Sequence, residues 1–291
     1  MLGGLARRRA ASPALRLILL PDGLWSQYRG SCARFDESLH HSILLLAHER
    51  GYLDRILRPL ERLLISGGAV RDEVPNQYRQ DLRESWVLED DPLERHHAAR
   101  TFAGRIAELL LAAWIEGDGA TLLALEAWGG RHDIEFADAA GHHCVCEAKY
   151  VGQEDEEFQG FLNLRRGESG GRWVGMYDAL DFALIRVFEA ALQLEGAAGR
   201  RIPCLVLSAA AEQLYRGMLE APWIDWRVPQ LYRECQTSGM EALLARMDHE
   251  YPSLDEELGP RLSAMDEVWI VGLSSDFVCR WIRRLRPGAP V

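Results

Sequence analysis

One lysine stands in this chain. The sequence carries 33 lysines and arginines, and the only lysine is Lys149, in "HCVCEAKYV". It follows Glu147 by two residues, and Asp133 precedes Glu147 by fourteen, in "RHDIEF". Two acids and one ammonium at these positions suggest metal-assisted chemistry on an anionic substrate. Carboxylates gathered beside an apolar core are costly unless something pairs them. A hard divalent cation such as Mg²⁺ does so, taking one or two carboxylates and filling its shell with water and phosphate oxygens. An arginine in place of Lys149 would keep the charge but present a wide planar fork, whereas an ammonium is a compact, tunable donor.

These residues need a hairpin to bring them together. "GGRHDIEFAD" reads as a strand, "AAGH" as a turn and "HCVCEAKYV" as the returning strand. Side chains two apart share a face of a strand. Glu147 and Lys149 therefore point one way and Cys146, Ala148 and Tyr150 the other, while Asp133 shares a face with Glu135. Normal pairing predicts that Asp133, Glu147 and Lys149 converge at one end of the sheet.

The surrounding elements follow from periodicity. "PLERHHAARTFAGRIAELLLAAWIEGDG" has Ala103, Ile106, Ala107, Leu110, Leu111 and Trp114 on one broad apolar face, and predicts a helix over 97–116 ended by Gly117 and Gly119. Strands are expected near 120–128, 131–137, 143–151, 202–208 and 267–273, and a second helix near 175–195. The order helix, three strands, helix, strand predicts an α/β molecule with a mixed α+β sheet flanked by helices. Residues 36–66 read as helical and 71–92 as a polar, proline-punctuated segment. The division is an N-terminal helical region over 1–92, of no assigned role, and a domain over 93–291 with a C-terminal extension.

Composition bounds the rest. Over 291 residues, 48% are hydrophobic and 26% charged, ordinary for a soluble globular chain. No apolar run nears the ~20 residues of a bilayer span, so no membrane partner is expected. The opening "MLGGLARRRAASPALRLILL" is broken by Arg16 and reads as an arm or first strand, not a signal peptide. A cytoplasmic location is the expectation. The six cysteines form no C-x-x-C pair and read as small buried residues. A net charge of −11 argues against a broad basic nucleic-acid surface but leaves room for a local groove. The loop "NLRRGESGGR", with Arg165, Arg166 and Arg172, is the best placed to track a phosphate backbone.

With Asp133 in "RHDIEF" and Glu147-Ala148-Lys149 in "CEAKY", the chain resembles the PD-(D/E)XK nuclease superfamily, the restriction-endonuclease-like fold. The resemblance covers about residues 95–210, and His132 stands where the motif has proline. It implies a restriction-endonuclease-like core with helices on both faces. It implies that Asp133, Glu147, the backbone carbonyl of Ala148 and Glu108 of the preceding helix hold Mg²⁺, with Mn²⁺ as a substitute. Asp133, Glu147, Lys149 and Glu108 are then the catalytic set, and Lys149 orients water or stabilises charge on the phosphate. The implied activity is phosphodiester hydrolysis of nucleic acid, DNA rather than RNA, as an endonuclease or exonuclease, with anti-phage defence as a role by analogy. The terminal regions are the expected place for a homodimer or protein contact.

Blander readings compete. Glu147 and Lys149 can be a surface ion pair of little energetic weight. Glu135 reads as a solvated strand residue. His132, His142 and His143 read as turn and strand residues, because neighbours on a strand face opposite ways and cannot easily share one ion. Arg95, His96, His97 and Arg100 read as a solvated helix start, and Trp223 and Trp226 as packing. The alternative function is a catalytically silent module of the same fold that binds nucleic acid or protein.

Overall fold

The computed structural model describes residues 91–126, 131–152, 189–209, 265–274 and 278–285, with isolated positions at 7, 11, 12, 54, 58, 61, 186, 187, 211 and 212. Most of the N-terminal region, Arg165, Arg166, Arg172, Trp223, Trp226 and most of the expected helix over 175–195 lie outside the described residues.

Helix α1 spans Pro92–Gly117. Asp91 caps it, its carboxylate accepting from the Leu93 N–H at 2.8 Å, and Pro92 occupies the first turn, where a missing N–H costs nothing. The chain leaves through Asp118 and through Gly119 at φ 94°, a left-handed conformation that suits glycine. The apolar face is wider than the one the spacing predicts. Leu109, Ala112 and Ala113 are buried along with Ile106, Ala107, Leu110 and Leu111, so α1 is covered on more than its sheet side.

Among the described residues, six strands form one mixed sheet in the order β1-β2-β3-β4-β5-β6. They are β1 Thr121–Leu125, β2 Ile134–Ala137, β3 His143–Val151, β4 Arg200–Leu207, β5 Val268–Leu273 and β6 Cys279–Leu285. β1, β2 and β3 make an antiparallel meander; β3, β4 and β5 run parallel; β6 returns antiparallel on β5. Consecutive residues of β4, Ile202 to Leu207, and all of β5 are buried, so both faces of the sheet are covered at its centre. This is why those strands read as unbroken apolar runs. The α1 side of β3 is the Tyr150 face, since a Cβ placed on Gly104 would meet the Tyr150 Cβ at 3.8 Å. Cys144, Cys146, Cys204 and Cys279 are buried free thiols. No helix among the described residues is long and apolar enough to cross a membrane.

Two expectations need correction. The strand expected over 131–137 begins at Ile134, and residues 131–133 form a bend. The strand β6, on "CRWIRRL" at the edge of the described sheet, is absent from the expected strands. Its arginines mask the pattern, yet two of them answer buried acids: Arg284 pairs with Glu267 at 2.6 Å and Arg280 with Glu212. Charged residues on an edge strand also discourage pairing with another chain.

Candidate metal centre

The β2–β3 register pairs Ile134 with Cys146, so Asp133 lies across from Glu147 just past the end of the ladder. Freed from the strand by the bend, Asp133 turns its carboxylate back to β3, where Oδ2 accepts the Ala148 N–H at 2.7 Å. Its own carbonyl accepts the Glu126 N–H at 3.2 Å, which brings in the end of β1. From the other side α1 presents Glu108. Single carboxylate oxygens of Glu108, Glu126 and Asp133 lie within 4.8 Å of one another, close enough to share an ion.

Glu147 is 5% exposed. Nδ1 of His132, itself buried, stands 3.1 Å from its Oε1. Burial, followed by the charge of Asp133 and a hydrogen bond to it, pushes Glu147 up to about 9, with Lys149 pulling the other way. Glu108, whose side chain keeps 20% of its surface, is pushed up to about 8 by burial and then by Asp133, against the lowering effect of Arg105. Arg105 Nη1 reaches Glu108 Oε2 at 3.1 Å and Glu126 Oε2 at 3.3 Å. Among the described residues, four carboxylates thus meet two fixed cations, Arg105 and Lys149. With every acid ionised, the described residues leave two negative charges over, the charge of one divalent cation. Without a cation the site lowers its charge by holding protons on Glu147 and Glu108. An all-oxygen donor set of this kind suits Mg²⁺ or Mn²⁺.

Asp133 is the shared member: Glu108 and Glu126 lie within 4.8 Å of it and of each other, whereas Glu147, on which Lys149 acts, meets Asp133 but falls outside that group of three. Glu126, Arg105 and His132 complete the site and are absent from the sequence reading of it. Glu126 hides near the end of the apolar strand expected near 120–128; its place seven residues before Asp133 is the available signal. His132 reads as a turn residue but is buried. The remaining candidates are engaged elsewhere. Glu135 Oε2 is 3.6 Å from His143 Nε2, and His142 Nδ1 is 3.1 Å from Asp138 Oδ2, so the two histidines serve different acids.

A separate cavity of about 300 Å³ lies beyond the end of α1, lined by Trp114, Phe136, Trp269, Trp281, Arg200 and Arg284 among others. None of the four carboxylates lines it. Arg284 already covers the faces of Trp269 and Trp281, at 5.5 and 5.0 Å from their ring centres.

Comparison with known proteins gives no match: no protein-family model, no curated protein and no solved structure corresponds to this chain.

Proposed function

We propose that the chain is a Mg²⁺-dependent nuclease of PD-(D/E)XK type that hydrolyses phosphodiester bonds, in DNA rather than RNA. The observation that carries this reading is the group of Glu108, Glu126 and Asp133 at the open end of the β2–β3 hairpin, whose carboxylate oxygens lie within 4.8 Å of one another, with Glu147 against Asp133 and the only lysine of the chain acting on Glu147. Asp133 and Glu147 would hold the ion, with Glu108 and Glu126 beside them and the Ala148 carbonyl contributing as the resemblance implies. Mn²⁺ would substitute. Such an ion, when bound, polarises a phosphoryl oxygen and acidifies a water.

The chain's own residues have distinct parts in the proposed reaction. Asp133 is oriented by the Ala148 N–H, which takes up one lone pair and fixes the carboxylate against β3. Lys149, two residues from Glu147 on the same strand face, offers an ammonium to the oxygen on which negative charge develops. Burial of Glu147 lowers the local dielectric and strengthens these interactions.

A second reading, a non-catalytic module that binds nucleic acid or protein, has one observation in its favour. Arg105 already bridges Glu108 and Glu126, a way of settling acid charge without metal. The test separates the two. Plasmid DNA, single-stranded DNA and RNA are incubated with the protein and either Mg²⁺, Mn²⁺ or EDTA. The proposal expects cleavage of DNA with either metal and none in EDTA. Intact substrates under all conditions, with retained binding, support the module and overturn the nuclease.

A further inference from the structure

We infer that His132 is a positioning residue that sets the orientation of the metal-binding carboxylate of Glu147. This rests on the metal reading proposed above and goes beyond it, because His132 stands where the motif has proline, a residue with no polar side chain.

The argument begins with a pair of adjacent contacts. Consecutive residues of the bend, His132 and Asp133, engage consecutive residues of β3, Glu147 and Ala148. The imidazole Nδ1 meets the Glu147 Oε1 at 3.1 Å, and the Asp133 Oδ2 meets the Ala148 N–H at 2.7 Å. The same three-residue bend therefore fixes both acids relative to each other. A glutamate side chain has three rotatable torsions, and Asp133 lies close enough to repel it. Once a cation displaces the Glu147 proton, the carboxylate only accepts hydrogen bonds, so Nδ1 of His132 must then be the donor. That donor ties one oxygen and leaves the other to offer to a cation. Burial makes the arrangement stiff: His132 is 6% exposed and Glu147 5%. Donors that orient a ligating carboxylate commonly govern metal affinity about 10–100-fold without touching the metal.

A histidine that merely fills core space would support folding and nothing more. The two roles are separated by where a replacement puts its donor. Asn carries its amide near the Nδ1 position, Gln carries it near the Nε2 position, and Phe keeps the ring without a donor. Mn²⁺ binding is followed by electron paramagnetic resonance on the full chain, with no nucleic acid present, and folding by thermal melts in EDTA. His132→Phe and His132→Gln are expected to bind Mn²⁺ about 10–100-fold more weakly than wild type. His132→Asn is expected to keep most of the affinity. Wild-type affinity in His132→Gln, or equal loss in the Asn and Gln variants, overturns the inference; these two variants decide it even where His132→Phe does not fold. Tight Mn²⁺ binding by wild type together with either of those results leaves the metal reading standing and removes only the role of His132. A wild-type chain that binds no Mn²⁺ overturns both.

Discussion

At the scale of single residues, the chemistry turns on how narrowly each group is specified. Lys149→Arg keeps the charge beside Glu147, so a purely electrostatic role would survive it. The rigid guanidinium cannot occupy the point position of an ammonium, and cleavage should fall at least about 100-fold, as for a misplaced catalytic group. Mn²⁺ affinity and the melting temperature should stay close to wild type. Full cleavage by this variant would return Lys149 to an ordinary strand residue. Asp133→Asn should act by another route. The amide oxygen can still accept from the Ala148 N–H, so the bend survives, but the lost charge weakens the cation site. Cleavage against Mg²⁺ concentration should shift to higher metal and partly recover there; a fall that no metal concentration relieves would place Asp133 outside the metal shell. Glu147 and Lys149 are legible in the sequence because strand alternation puts them on one face of β3, and a short turn sets Asp133 across from Glu147. Glu126 and His132 are not, because their roles come from tertiary approach. One depends on the β1–β2 pairing, which aligns a strand end with Asp133. The other depends on a bend that turns a polar ring inward, and no local pattern distinguishes an inward histidine from an outward one.

At the scale of elements, long periodic or unbroken apolar segments are the readable ones. β3 is found over the expected 143–151, and β4 and β5 lie within two residues of their expected starts, because buried parallel strands show as runs of Val, Ile and Leu. β6 escapes because its arginines pair with acids far away in sequence. The junction into β4 carries a constraint that can be tested. Gly199 has φ 103°, and a Cβ there would lie 2.7 Å from the His143 carbonyl oxygen, at the start of β3. Gly199→Ala meets backbone strain and backbone contact together, and neither can yield cheaply. A loss of about 1–3 kcal/mol is expected from the strained conformation alone. Urea denaturation measures it, with the midpoint moving and the slope unchanged. A neutral result would mean that the parallel β3–β4 junction is set elsewhere than at this glycine.

At the scale of the whole molecule, two groups of buried acids give stability opposite dependences on pH. Glu267, 2% exposed, accepts from Trp269 at 2.7 Å and pairs with Arg200 of β4 and Arg284 of β6, bracing three strands. Burial opposes its ionisation, but the hydrogen bonds from Trp269 and Arg284 and the two positive charges outweigh it and hold Glu267 below its ordinary value. Below the ordinary glutamate range the unfolded chain takes up this proton more readily than the folded one. The stability that Glu267 contributes is present above that range and lost as pH falls through its folded value. Glu147 and Glu108 behave in the reverse sense. Held up at about 9 and about 8 against an ordinary 4.5, they keep protons that the unfolded chain has released. Across that window the folded state binds more protons, so stability falls as pH rises from about 4.5 and levels off above 9. A bound divalent cation takes the place of those protons, and its binding must release them. Mg²⁺ should therefore raise the melting temperature more at pH 8.5 than at pH 6, and it should flatten the decline seen in EDTA. Glu147→Gln, uncharged at every pH, should lose roughly half of the decline in EDTA, the share that Glu108 does not carry, and most of the Mg²⁺ effect with it. Melting curves across pH 5–9, with and without Mg²⁺, measure all of this on one preparation. An Mg²⁺ increment that is the same at both pH values, or one that Glu147→Gln leaves intact, would mean that the ion binds away from these carboxylates, and that protons alone settle the charge at the end of the hairpin.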